Sequence, residues 1–263
     1  MSLVFAALCP HSPILVPEIG RENREKLQKT ISALSRLEED LYLSYPDIIF
    51  VLSPHEALHE KAFVINVHET FTANFEEFGD LEKQNTWKGS EDLGAKIAHK
   101  AIAENISIKL INEEKIRYGT SIPLMYLCRH LKNTRVVPIG YSNLSPKDHF
   151  SFGEMLKEII AETPKRIAVI ASGDMSHCIT KKSPIKYNLA GKEFDQKIQE
   201  LLSTHNSLGI TQLDEKLINN AHECMYKSLL IASGILKNID YRFENYCYEY
   251  PFGVGHLTGN FHL

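Results

Sequence analysis

Three hydrophobic runs in this chain each end on a histidine: Leu3-Val-Phe-Ala-Ala-Leu-Cys-Pro-His11, Ile48-Ile-Phe-Val-Leu-Ser-Pro-His55 and Ile167-Ala-Val-Ile-Ala-Ser-Gly-Asp-Met-Ser-His177. Imidazole is the commonest protein ligand for transition metals, and its pKa near neutrality also suits it to proton transfer. His11 and His55 both follow a proline. Its fixed φ gives the chain a defined direction where the apolar run breaks. In an open α/β sheet the carboxyl ends of the strands converge on one crevice, so three imidazoles delivered there describe a metal site or an acid/base site.

Further candidates surround these histidines in sequence. Two imidazoles make half a metal site, and an iron site for oxygen chemistry adds one carboxylate. The segment Tyr246-Cys-Tyr-Glu-Tyr-Pro-Phe-Gly-Val-Gly-His256 offers Glu249 among aromatics. A carboxylate in such a setting needs a partner charge. Cys247, two residues away, points to the same side of an extended chain and is the alternative ligand. In Ser172-Gly-Asp-Met-Ser-His177, Asp174 can orient the His177 ring, and His177 can carry protons beside a metal without binding it. The alternative is that Asp174 and Ser176 only cap the following turn. A Ser172/His177 hydrolase lacks the GxSxG elbow.

The positioning elements alternate between strand and helix. Arg21–Tyr45 carries Leu27, Ile31, Leu34, Leu37 and Leu41 at helical spacing. Asp47–Leu52 reads as a strand and Phe63–His68 as another. Thr70–Gly89 reads as a long irregular excursion of the kind that forms lids. Ser90–Glu104 is helical, Ile106–Ile111 a strand, Ile122–Leu131 a helix, Arg135–Ile139 a strand, Asp148–Ala161 a helix and Arg166–Ala171 the third histidine-bearing strand. Helices over Glu193–Leu202 and Leu213–Ser233 precede an aromatic and glycine-rich end, Tyr241–Phe261. The expected fold is α/β, a largely parallel central sheet with helices on both faces. No linker or repeat divides residues 1–263, and one domain is expected.

Composition excludes several classes of function. A net charge of -4 with interspersed signs leaves no footprint for nucleic acid or an anionic membrane. Nor does any run reach the roughly 18 apolar residues of a membrane helix. The N-terminal apolar run has no basic region before it and reads as a strand rather than a signal peptide. Five scattered cysteines without a CxxC pair fit a reducing cytoplasm. A small-molecule substrate is the expected partner, with a homo-oligomeric assembly.

Taken together, the Pro-His and Ser-Pro-His strand ends, the Ser-Gly-Asp-Met-Ser-His strand end and the closing Tyr-Glu-x-Pro-Phe-Gly-Val-Gly resemble the LigB-like superfamily of class III extradiol ring-cleavage dioxygenases. Within it, the resemblance is strongest to the branch that includes Memo and the Memo-like proteins of the AmmeMemoRadiSam system. The resemblance implies a non-haem Fe(II) held by His11, His55 and Glu249, or zinc as purified. It also implies an aromatic catechol-type substrate opened by O2 next to its diol. His177 would take a phenolic proton and later help to return one. One residue departs from the pattern: Arg117-Tyr-Gly-Thr-Ser-Ile-Pro-Leu124 has Tyr118 where these dioxygenases commonly carry an active-site histidine. In Memo-like relatives the third ligand is a cysteine, for which Cys247 is the nearest match. That gives an alternative, a metal-binding or redox protein that cleaves no catechol. A third reading is a scaffold whose pocket binds a partner, which the histidine rim argues against.

Overall fold

The three histidine-bearing runs are apolar on both sides because each lies inside a sheet covered on both faces. In the computed structural model, which describes residues 2–56, 59–80 and 85–263, the elements in chain order are β1 (Leu3–Cys9), α1 (Pro17–Gly20), α2 (Gln28–Leu43), β2 (Ile48–Ser53), β3 (Phe63–Asn66), β4 (Thr70–Ala73), β5 (Thr86–Gly89), α3 (Glu91–Ala103), β6 (Ile108–Ile111), β7 (Lys115–Ile116), α4 (Tyr118–Leu127), β8 (Arg135–Gly140), α5 (Pro146–Glu162), β9 (Ile167–Ser172), α6 (Leu189–Ser203), α7 (Ser207–Thr211), α8 (Glu215–Ala221), α9 (Tyr226–Ile235), β10 (Arg242–Glu249) and β11 (His256–His262). The sheet runs β10-β11-β1-β9-β2-β8-β5-β4-β7, with β3 joined to β8 and β6.

The protein is thus α/β with a mixed sheet. Its centre, β1-β9-β2-β8-β5, is parallel, while β11 joins β1 and β10 joins β11 in antiparallel fashion. Successive residues of the central strands serve opposite faces. Leu8, Phe50, Leu52, Val169 and Ala171 pack under α3, α5, α6 and α9, whereas Ala7, Cys9, Ile49, Val51 and Ile170 pack under α2 and α4. On the first face α5 and α9 meet almost backbone to backbone. A Cβ on Gly153 would stand 2.1 Å from the Ile231 carbonyl oxygen, so only glycine fits there.

Several sequence expectations are corrected. The excursion Thr70–Gly89 contains an antiparallel pair, with Phe71 opposite Trp87, and a 3-10 turn at Glu76–Phe78. Residues 81–84 of that segment lie outside the described residues. The expected helix Arg21–Tyr45 opens as a 3-10 segment, Arg21–Leu27, because its entry residue Arg21 has φ of 47° and no side chain caps it. The expected helix Ile122–Leu131 begins four residues earlier, at Tyr118. Leu213–Ser233 is broken into α8 and α9, and the break occurs at His222, whose φ of 53° no continuing α-helix allows.

One buried carboxyl ties these layers together next to the third histidine. Asp195 of α6 is fully buried, accepts 2.9 Å from the Ser176 N–H and 2.6 Å from the Tyr248 hydroxyl, and so joins α6, the loop after β9 and the β10 edge. Burial raises its pKa to about 7 in spite of both bonds. A carboxyl with a raised folded-state pKa stabilises the fold below its unfolded pKa, and that stabilisation is lost as pH climbs through 7. Wild-type stability is therefore expected to fall by roughly 3 kcal/mol through this group between pH 5 and pH 8, at 1.36 kcal/mol per unit. Asp195→Asn removes that component. Urea denaturation of both proteins at the two pH values checks it, and an equal fall in both would count against Asp195.

Candidate metal centre

His11 and His55 meet at the carboxyl edge of adjoining parallel strands, β1 and β2 flanking β9. Their Nε2 atoms are 3.2 Å apart and their rings are edge to face with centroids 4.8 Å apart. That is a spacing at which two nitrogens can each stand roughly 2.0–2.1 Å from one ion. The third donor is Cys224, whose Sγ lies 3.3 Å from His11 Nε2. The donor atoms of His11, His55 and Cys224 all fall within 4.8 Å of one another, and this is the group able to chelate a metal ion among the described residues.

The surroundings fix each donor. The His11 main-chain N–H donates to Asp174 Oδ1 at 3.1 Å, and its Nδ1 lies 2.8 Å from Ser172 Oγ. Ser172 gives its only hydroxyl proton to the Gly119 carbonyl at 2.5 Å. Its oxygen can therefore only accept from His11, which sets His11 as the Nδ1–H tautomer and leaves Nε2 as a bare lone pair. Burial, then the neighbouring His55, His177 and His256, push the His11 pKa well down. Burial similarly lowers His55 to about 4. Both rings are neutral at pH 7, the form that binds metal.

Asp174 and Cys224 grip each other through the backbone. The Asp174 N–H points at Cys224 Sγ at 3.2 Å, and the Cys224 N–H donates to the Asp174 carbonyl at 3.2 Å. Burial, with Asp174 nearby, holds the thiol pKa well above its usual value, so the sulfur is a thiol until a cation stabilises the thiolate. Asp174 itself is raised to about 7 by burial. Tyr118, at the first turn of α4, stacks on His55 with centroids 4.3 Å apart, and its hydroxyl is 2.8 Å from His55 Nε2. Burial keeps this phenol protonated, so it is no base at pH 7. Phe78, from the turn between β4 and β5, packs edge-on against Tyr118 at 5.1 Å.

The structure places the other candidates as follows. His177 reaches the same region and is within electrostatic range of His11 and His55. Its Nδ1 is buried without a hydrogen-bond partner, and burial lowers its pKa. Asp174 holds the His11 main chain rather than the His177 ring. Glu249 is not part of the cluster: its Oε1 accepts from the Thr30 N–H at 2.8 Å and from Thr30 Oγ1 at 2.6 Å. Thr30 lies in the first turn of α2, whose own N-cap residue, Leu27, supplies no side-chain bond. The carboxylate thus caps a helix from a neighbouring strand. Cys247 shares that side of β10 and lines a groove with Gln28, Lys29 and Arg36, away from the two histidines. The cysteine beside the two histidines is Cys224 instead.

Sequence reasoning missed Cys224 because it lay inside an expected helix. The one signal was the polar run Asn219-Asn220 and His222-Glu223 interrupting the apolar periodicity. It also missed Ser172 as the orienting hydroxyl and His256, a buried imidazole whose pKa burial lowers to about 4 and whose two ring nitrogens have no hydrogen-bond partner.

An α/β sheet that presents a His-His-Cys set at its carboxyl edge defines a metal-binding class of protein, and comparison with known proteins gives the family. Residues 5–258 match the catalytic LigB subunit of aromatic ring-opening dioxygenase, and the chain belongs to that family. It is similar to protein CA_C1420 of Clostridium acetobutylicum, 29% identical across 97% of this chain and 57% of the relative, so it spans little more than half of that protein. It is also 23% identical to the Escherichia coli 3,4-dihydroxyphenylacetate 2,3-dioxygenase, over 94% of this chain and 84% of the relative. Among solved structures, uncharacterized protein JW3007 from Escherichia coli K12 superposes with a TM-score of 0.67 at 16% identity, covering 98% and 99% of the two chains. No helix among the described residues is long and apolar enough to cross a membrane.

Two substitutions separate the metal cluster from the helix cap. Cys224→Ala is expected to lose most zinc binding with little change in fold. Glu249→Ala should keep full metal content and lose about 1–2 kcal/mol of stability, as for removal of a capping group. Metal content by elemental analysis and urea denaturation of both variants check this. Metal loss in Glu249→Ala would return the carboxylate to the ligand set.

Proposed function

We propose that this chain is a Memo-type metal protein whose His11-His55-Cys224 set supports redox or thiolate-metal chemistry rather than catechol cleavage. The observation that carries this reading is Cys224 in the third donor position, with Glu249 committed to the Thr30 cap. A thiolate donor favours softer metals such as zinc or copper, or an iron tuned by sulfur, over a hard carboxylate-bound Fe(II). Tyr118 supports the same reading. A neutral phenol beside His55 cannot act as the base that a histidine there would provide.

The bound ion would supply Lewis-acid or one-electron chemistry. The protein's own groups do the rest. His11 and His55 offer neutral lone pairs and Asp174 fixes His11 and Cys224 relative to each other. Tyr118 holds a proton at its hydroxyl, and His177 offers an imidazole beside the cluster for carrying protons to or from a small molecule. The groups belong to one domain, and the ligand is a small molecule rather than a macromolecule.

A second reading, an Fe(II)-dependent extradiol dioxygenase acting on a catechol with O2, is favoured by one observation: His177 lies within electrostatic range of His11 and His55 and would serve as the acid/base that this chemistry requires. The similarity of the chain to a 3,4-dihydroxyphenylacetate 2,3-dioxygenase supports the same reading. Reconstituting the protein anaerobically with Fe(II), Cu(I) or Zn(II), then offering catechols and O2, separates the two. The Memo-type reading expects one ion per chain, sulfur coordination in X-ray absorption that vanishes in Cys224→Ala, and no ring-opened product. Ring opening by the Fe(II) form, slowed about 10²–10⁴-fold by His177→Gln with metal retained, would establish the dioxygenase. Full metal content in the double variant His11→Ala/His55→Ala would dismiss both.

A further inference from the structure

The bond that fixes the His11 tautomer depends on a carbonyl that an ordinary helix would already have used. In an α-helix the N–H of each residue bonds the carbonyl four residues earlier. Within α4 the residue four after Gly119 is Pro123, which lies in the helix interior and has no N–H. The Gly119 carbonyl therefore has no helical donor, and the proline ring tends to tilt it outward. It accepts the Ser172 hydroxyl at 2.5 Å, and the Ser172 oxygen lies 2.8 Å from His11 Nδ1. Gly119, Ser172, Pro123 and His11 are all buried, so no solvent competes for these groups.

Gly119 has to be glycine for the same contact. A Cβ there would stand 2.6 Å from Ser53 Oγ and 3.0 Å from the His55 ring, so the backbone of α4 could not come this close to Ser53 and His55. The close approach brings the carbonyl to Ser172, and the missing N–H leaves it free. Neither feature serves the helix itself, since proline in a helix interior weakens it.

We propose that Pro123 is a positioning residue for the metal centre: by withholding an N–H from Gly119 it directs that carbonyl to Ser172, which fixes His11 as the Nδ1–H tautomer with Nε2 free for the ion. The inference rests on the reading of His11 as a ligand and goes beyond it. It assigns the ligand's orientation to a residue that acts through Gly119 and Ser172.

Pro123→Ala restores a helical donor to Gly119 and draws the carbonyl back along the helix axis. The chain should then gain thermal stability and yet bind metal more weakly, two effects of opposite sign that a merely structural proline would not produce. Ser172→Ala is expected to weaken zinc affinity about 10–100-fold, as for other outer partners of a ligand histidine. Pro123→Ala should give part of that loss, and the double variant no more than Ser172→Ala alone. Nitrogen-15 spectra of metal-free protein supply the direct readout, namely a single Nδ1–H signature for His11 in wild type and a tautomer mixture in Ser172→Ala and Pro123→Ala. Unchanged zinc affinity and unchanged His11 spectra in Pro123→Ala would overturn the proposal, as would an Nε2–H His11 in wild type. If His11→Ala keeps full zinc affinity, the ligand reading itself has failed, a result the spectra do not depend on.

Discussion

A buried imidazole kept neutral and aimed is the constraint around which this protein is arranged. Removing His11 from water makes its charged form costly, so at neutral pH it presents a lone pair instead of a cation. Desolvation alone does not choose which nitrogen carries that lone pair. Ser172 makes the choice through its link to Gly119, and Asp174 fixes the main chain from the other side. The parallel sheet makes this possible, since β1, β9 and β2 are adjacent and end on the same edge, where Pro10 and Pro54 turn the chain to deliver the two rings.

The same sheet explains why the C-terminal strand supplies no ligand. Among the described residues β10 is an edge strand that pairs only with β11, with a register irregularity between Asn245 and Cys247. Its Cys247 and Glu249 side turns toward the start of α2, where uncapped amide groups attract a carboxylate. Glu249 meets that demand. The donor comes instead from the αL break at His222, where a chain leaving α8 must reverse before α9 and in doing so lowers Cys224 onto Asp174.

The legible parts of the sequence were those set by short-range chemistry. Apolar runs ending in Pro-His marked β1 and β2 together with their histidines, because burial on both faces and a proline stop are local properties. Alternating strands and helices likewise gave the α/β class, although the antiparallel edges β10 and β11 were not separable from loops by composition. Cys224 was hidden because the apolar spacing from Leu213 through Leu230 reads as one helix, and the left-handed residue that interrupts it is a histidine, not a glycine. Glu249 misled for a related reason. Flanking aromatics make its setting look apolar, but which helix end that carboxylate faces is decided by tertiary packing alone.

Charge balance ties these features to the chemistry of the centre. Without a cation, burial holds Asp174 near pKa 7 and Cys224 as a thiol, so the pocket carries little net charge and two neutral imidazoles. A divalent ion would reverse that logic by favouring the thiolate and the carboxylate together. One thiolate and one buried carboxylate would then match its two positive charges, leaving the loaded pocket close to neutral in a low-dielectric interior where an uncompensated charge is costly. In a site with a carboxylate third ligand and a buried Asp174, the same sum would be reached by two hard oxygen groups. Here one of the two is sulfur, so the balance is kept while the ion faces a softer and more readily oxidised donor. That is the physical basis for expecting thiolate-metal chemistry at this edge of the sheet.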